Sequence, residues 1–282
     1  MKKQSLIILF LVCAIQQFAQ KNNHRDFYSY DVGLFLGSTY YIGELNTREH
    51  FNGDSPALGL FYRFNYSPRF SFRGGLQFGN VKADDSQSEN NNQIERNLNF
   101  KTNIYECYAI SEFNFVEYLI GSKKYIFSPY VFLGINLLRF NPMANIGGSW
   151  VELNRLCTEG QKTTQNPNQN PYSLTQVGIP FGVGFKLNVA NRFALGLEWS
   201  PRKTFTDYLD DVSGKYVDPI QLSKEKGTTA ALLSNRSISS DGLINNTGKL
   251  RGNPNTNDWY FYYGITLSMV LKQTPKECRG VK

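Results

Sequence analysis

The acidic run Asp207, Asp210 and Asp211, within residues 204–218, offers carboxylates of the kind that hold calcium, an oxygen-seeking cation. The spacing does not match an EF-hand loop. Asp207 reads instead as the cap of a short helical turn, so the run is taken as a packed loop segment. His50 with Glu44 or Glu49 offers a base for hydrolysis, the plainer reading being an exposed loop histidine. Beyond the first residues the chain has one other histidine, His24. Proteases, phospholipases and acyl transferases need an activated nucleophile or general base, so an enzyme is not expected and no catalytic residue is assigned. Cys107, Cys157 and Cys278 form no CxxC pair, so a zinc site is not expected. An odd cysteine number in an exported chain leaves at least one thiol free or paired with another molecule. Gly182-Val-Gly184 sits inside a strand pattern and is no phosphate loop. Cofactor and metal sites are therefore both expected to be none.

What positions these residues is a set of eight alternating runs. Along 258–271, Trp259, Phe261, Tyr263, Ile265, Leu267, Met269 and Leu271 share one parity, against Tyr260, Tyr262, Gly264, Thr266 and Ser268. A strand turns alternate side chains to opposite faces, so this run has one continuous greasy face. The others are read at 30–40, 56–66, 69–80, 102–115, 125–138, 178–189 and 192–200. Run 178–189 alternates most clearly; run 125–138 is apolar on both parities and gives little guide to facing. Run 258–271 is long enough to cross a bilayer as a tilted strand, which takes about 9–11 residues. Strands in lipid must close on themselves, because open edges leave backbone groups unpaired.

Short and long connections alternate. Ser67-Pro68, Ala190-Asn191 and a turn around 121–124 are short; 41–55, 81–101, 139–177 and 203–257 are long and polar. That alternation predicts an all-β fold, an eight-stranded antiparallel up-and-down transmembrane barrel with four outer loops and three periplasmic turns. Both termini then fall in the periplasm. A soluble lipocalin-like barrel is the rival, since period two does not say which face meets water. The polar parity decides between them. It carries Arg63, Arg73, Glu106, Glu112, Lys186 and Glu198, three cations and three anions that would neutralise one another inside a narrow lumen. Bulky Phe, Tyr and Leu on the other parity would overfill that lumen but suit lipid. An eight-stranded interior is filled by side chains, so no general pore is expected. The loops 81–101 and 139–177 read as solvated, mobile surface.

Residues 1–19 read as a secretory signal: Lys2 and Lys3, an apolar stretch from Leu6 to Ile15, and cleavage after Ala19. Cys13 fits a lipoprotein signal poorly, because Val12 precedes it. The organisation expected is signal 1–19, a periplasmic segment 20–29, the barrel 30–272 and a periplasmic tail 273–282. Aromatic residues at 15%, with frequent glycine and a mean hydropathy of −0.39, suit half-polar strands. The formal charge of +7 falls to +5 without Lys2 and Lys3. Basic residues among aromatics can signal nucleic acid. Here the aromatics recur at period two in every run, so outer-membrane lipid is the expected partner, with no nucleic acid and no small-molecule substrate.

The stretches DVGLFLGSTYYIGELN, PYVFLGINLLRFNP, GIPFGVGFKLNV and LGLEWSPRKTFTDYLDDVSGKYVD resemble small barrels of Bacteroidetes. Together they resemble the PorG family of the type IX protein secretion system, over nearly the whole mature chain. The resemblance implies a non-enzymatic outer-membrane component that associates with periplasmic ring proteins of the PorK and PorN type. It implies no catalytic residue. On this reading the periplasmic turns and the tail hold the ring, and Cys278 is a candidate for a disulfide to a partner. The alternatives are a freestanding small barrel for surface contact or small-molecule uptake, and an outer-leaflet enzyme.

Overall fold

The computed structural model describes residues 28–239, 242–243 and 245–273. The expected signal 1–19, most of segment 20–29 and the tail beyond Gln273, Cys278 included, lie outside the described residues. Eight long strands make the wall: β1 (Ser29–Ile42), β2 (Ser55–Asn65), β3 (Phe70–Asp84), β4 (Asn99–Asn114), β5 (Phe127–Ile146), β7 (Thr175–Asn188), β8 (Phe193–Thr204) and β11 (Trp259–Gln273). Each pairs antiparallel with its neighbours in the order β4-β3-β2-β1-β11-β8-β7-β5, and β4 pairs with β5 to close the ring. Short β6 (Ser149–Glu152) folds back on the end of β5. The long connections hold helices α1 (Asn91–Arg96), α2 (Pro219–Lys226) and α3 (Thr228–Ser234), and a hairpin of β9 (Ile238–Ser239) and β10 (Gly242–Leu243). No helix among the described residues is long and apolar enough to cross a membrane.

Register fixes the faces. Leu34 pairs with Leu60, and Leu60 with Leu76; Leu197 pairs with Ile265. All point outward, Leu60 57% and Ile135 66% exposed, which makes an aliphatic band around the wall. β5, ambiguous in sequence, turns Leu133, Ile135 and Leu137 out and Tyr130, Phe132 and Leu138 in. Aromatic clusters flank the band. At the long-loop rim Tyr40 stacks on Phe261, with Phe51, Tyr263 and Trp199 around them. At the short-turn rim Tyr30 stacks on Tyr62 and Phe64, and Phe113 meets Phe70 and Phe115. An apolar belt between two aromatic girdles is the outer surface of a lipid-embedded barrel.

The strands run past the boundaries read from sequence, chiefly at the long-loop end. β5 continues from Leu138 to Ile146 and β4 begins at Asn99. There the ladder pairs Lys82 with Lys101, Asp84 with Asn99 and Asn103 with Asn141. Beyond the greasy belt the outward residues turn polar, while Val81, Phe100, Phe140 and Ala144 are buried on the inward parity, so the alternation reverses its phase while backbone hydrogen bonding continues.

The interior packs large against small. A Cβ on Gly182 would lie 2.6 Å from the Phe132 ring, and one on Gly184 2.5 Å from the Tyr130 ring. These glycines of β7 make room for the aromatics of β5. At the short-turn end, residues 115–126 fold under the barrel. Tyr118 and Ile120 bury against Ala194 and Val270, and the Tyr118 backbone N–H donates to Pro68 O at 3.0 Å.

The lumen and the loop cap as the candidate functional site

The bore is filled by an ion lattice. Arg63 reaches Asp31 and Glu112, each at 3.0 Å; Arg73 reaches Glu112 at 2.9 Å and Glu198 at 2.8 Å. Lys186 sits 2.5 Å from Glu112 and Arg202 3.0 Å from Glu106. Tyr130 donates to Glu198 and Tyr260 to Glu106, both at 2.8 Å. The guanidinium of Arg73 also lies over the Phe61 ring, 5.1 Å from its centroid. All six charges expected on the polar parity lie in this lattice. Sequence reasoning missed Asp31 and Arg202, which bring it to four anions and four cations. The signal was present: Asp31 shares parity with Gly33 and Phe35, and Arg202 continues the inward parity of Glu198 and Ser200 past the end drawn for that run. Desolvating eight charges is tolerable only because each meets an opposite partner or a hydroxyl.

The long-loop mouth is closed by a packed cap. Leu209 and Val212 join a core with Tyr41, Phe100, Leu138, Phe140 and Tyr260. Thr102 Oγ1 donates to Leu209 O at 2.6 Å. Glu159, from the loop after β5, accepts the Ser213 N–H at 2.9 Å and pairs with Arg251 at 3.2 Å, both in the loop before β11. Arg96 of α1 pairs with Asp85 at 2.7 Å and donates to the backbone oxygens of Glu44 and Arg251. The expectation that 81–101 and 139–177 are solvated surface holds for Gln87, Glu89, Asn91 and Asn168 but not for Asp85, Gln93, Thr158 and Glu159, which are buried. Their polar side chains satisfy one another beneath the surface, a pattern that composition does not reveal.

The acidic run does not act as a unit. Asp211 accepts the Thr158 and Tyr172 hydroxyls and faces Arg251, and burial first among causes lifts its carboxyl to about 6. Asp210 accepts the Tyr41 hydroxyl at 2.6 Å and the Val212 N–H at 2.9 Å. Asp207 caps no helix: residues 205–214 form bends, and the helix start downstream belongs to Asp218, which accepts the Ile220 N–H at 2.9 Å. Asp207 turns instead towards Glu44 and Asp258. Burial, with Asp210 and Glu159 adding and Ser213 opposing, raises the Asp207 carboxyl to about 7. Burial and then Asp207 raise Glu44 to about 7.

The structure does not pair His50 with Glu44 or Glu49. Its Nδ1 lies 3.0 Å from the Tyr40 hydroxyl, within the aromatic girdle at the long-loop rim. Among the described residues Cys107 is a free thiol on the lipid-facing side and Cys157 a free thiol buried in the cap. A groove of about 970 Å³ opens between the first loop and α1, lined by Arg48, Glu49, Lys82, Asp84 and Trp150 among others.

A closed eight-stranded antiparallel ring, apolar outside and ionic within, defines a transmembrane β-barrel of the outer-membrane type. The chain belongs to the family described as a domain of unknown function, DUF6089, whose model matches residues 3–224. No curated protein matches. Among solved structures it is similar to Ail, the attachment invasion locus protein of Yersinia pestis, with 10% identity over 88% of this chain and 99% of that one, TM-score 0.38. It is similar to Neisserial surface protein A, with 10% identity over 86% and 97%, TM-score 0.40. It is also similar to OprG of Pseudomonas aeruginosa, with 8% identity over 87% and 97%, TM-score 0.38.

Proposed function

We propose that the chain is a non-conducting, non-enzymatic barrel of the outer membrane that serves protein secretion of the type IX kind. In this reading its short turns and both termini face the periplasm. There the turns and the tail 273–282 hold a ring of PorK-type lipoprotein and PorN-type protein. The supporting observation is the lumen: an ion lattice fills it, a cap covers it and a turn segment lies beneath it, so the barrel is built as an anchor and not a passage. The sequence resemblance to the PorG family supplies the partner. Deleting the gene should leave cargo proteins inside the cell, and mild detergent extraction of the tagged barrel should bring the ring proteins with it. Normal secretion with no ring proteins recovered overturns the proposal. Cys278 is proposed as a thiol bonded to a partner; a membrane band on non-reducing gels that does not respond to Cys278→Ser refutes that part.

A freestanding barrel for surface contact is the second reading, favoured by the ordered cap and its groove. It predicts intact secretion after deletion but weakened attachment of cells to a surface. Uptake of small molecules through the bore is disfavoured by the same lattice. An outer-leaflet enzyme would require His50→Ala to abolish an activity while secretion continues.

A further inference from the structure

We propose that Glu44, Asp207 and Asp258 form a divalent cation site of the calcium class, which pins the loop cap to the barrel mouth. The three residues come from the ends of adjacent strands: Glu44 just after β1, Asp207 just after β8 and Asp258 just before β11. One carboxylate oxygen from each lies within 4.8 Å of the others. Oxygens around one calcium ion sit at 2.3–2.6 Å from it, so opposite ligands are about 4.6–5.2 Å apart. The spacing is therefore compatible with a shell of that size.

The second observation is the state of the oxygens. Asp207 is 7% exposed, and neither of its carboxylate oxygens has a hydrogen-bond partner. Glu44 Oε2 is likewise buried and unpartnered, while its Oε1 accepts the Asn253 N–H at 3.3 Å. Buried polar atoms are almost always satisfied, so three such oxygens aimed into one space point to a ligand. Asp258 is already oriented for it: Oδ2 accepts the Leu209 N–H at 2.9 Å and Oδ1 the Tyr41 hydroxyl at 3.0 Å. That hydroxyl also meets Asp210 at 2.6 Å, and its single proton serves only one of the two acids. Glu44, Asp207, Asp210 and Asp258 thus lie close together, with one hydroxyl shared between two of them. Among the described residues none of them has an ion-pair partner, since Arg96 is spent on Asp85 and Arg251 on Glu159 and Asp211. Gly43 leaves the room: a Cβ there would collide with the Tyr41 hydroxyl and with Asp258 Oδ1. A bound dication would supply the missing charge and the missing partners together, and would tie the loop after β1 to the loop between β8 and β11.

The test uses the full chain, purified in detergent and freed of metal by chelation. Calcium titrated by calorimetry should give one saturable site with a dissociation constant on the order of 10⁻⁴–10⁻³ M, the range of extracellular calcium modules. Terbium, excited through Tyr41, should luminesce and be displaced by calcium. Trypsin cleavage at Lys215 and Lys249 should slow severalfold in millimolar calcium. Asp207→Asn should weaken binding at least tenfold and remove the calcium effect on proteolysis; Glu44→Gln, at a more exposed position, repeats the test should Asp207→Asn fail to fold. Absence of saturable calcium binding by the wild-type chain overturns the proposal. So does calcium affinity that Glu44→Gln leaves unchanged.

Discussion

Glu112 holds the largest share of the lumen. It faces Arg63, Arg73 and Lys186 at once, and its side chain is fully removed from solvent. Removing it leaves Lys186 without its carboxylate and takes one of two partners from each of Arg63 and Arg73. Breaking a buried ion pair by deleting one partner costs about 3–5 kcal/mol. Glu112→Ala should lower folding stability by at least that much, read as the urea midpoint of the barrel in lipid vesicles. The Glu106–Arg202 pair permits a finer test, because it stands apart from the Glu112 hub. Glu106→Gln and Arg202→Met should each destabilise, whereas the double variant should cost less than their sum. A coupling of about 0.5–3 kcal/mol is the usual range for residues in contact. Strict additivity would mean that Tyr260 and Gln77, which also bond to this pair, carry the load instead.

At the scale of the strand, the outward face is what places the barrel in lipid. Leu60 of β2 lies between Leu34 and Leu76, midway between the two aromatic girdles. Leu60→Arg should cost about 2–4 kcal/mol in a bilayer, as for a charge at the midplane of a membrane barrel. A barrel whose outer face met water would show no such penalty at a position exposed to this degree. This face was legible in the sequence because period two is enforced wherever one side meets hydrocarbon. Run 178–189 gave its facing outright. Run 125–138 withheld it, since Tyr130, Phe132 and Leu138 fill the interior while Leu133 and Ile135 meet lipid, and both faces are greasy. The strand ends at Asn99 and Ile146 were hidden for a different reason: there the greasy residues, Phe100, Phe140 and Ala144 among them, switch to the inward parity. The cap was hidden altogether. Glu159, Asp211 and Arg251 stand 40 to 92 residues apart in pairs, and nothing local in a polar loop says which charges will meet.

For the whole molecule, three independent barriers lie along one axis. The cap rests on Tyr41, Phe100 and Phe140; the ion lattice crosses the middle; Tyr118 and Ile120 fill the short-turn end. The full chain in planar bilayers should therefore show no steady single-channel steps, even in molar potassium chloride, because buried pairs are screened far less than exposed ones. Replacing the loop 205–258 by a short turn should leave the membrane silent, since the lattice does not depend on that loop. Loss of charge at the centre is different. Should Glu112→Ala fold in the loop-replaced chain, it leaves an excess of positive charge around Arg63, Arg73 and Lys186, and any current should favour anions over cations. Steady conductance by the wild-type chain would place a continuous water path through this lattice, and the barrel could then no longer be read as a pure anchor. Silence in the wild-type and loop-replaced chains, with anion-selective steps once Glu112→Ala is added to the loop replacement, would show that the lattice seals the bore when the cap is gone.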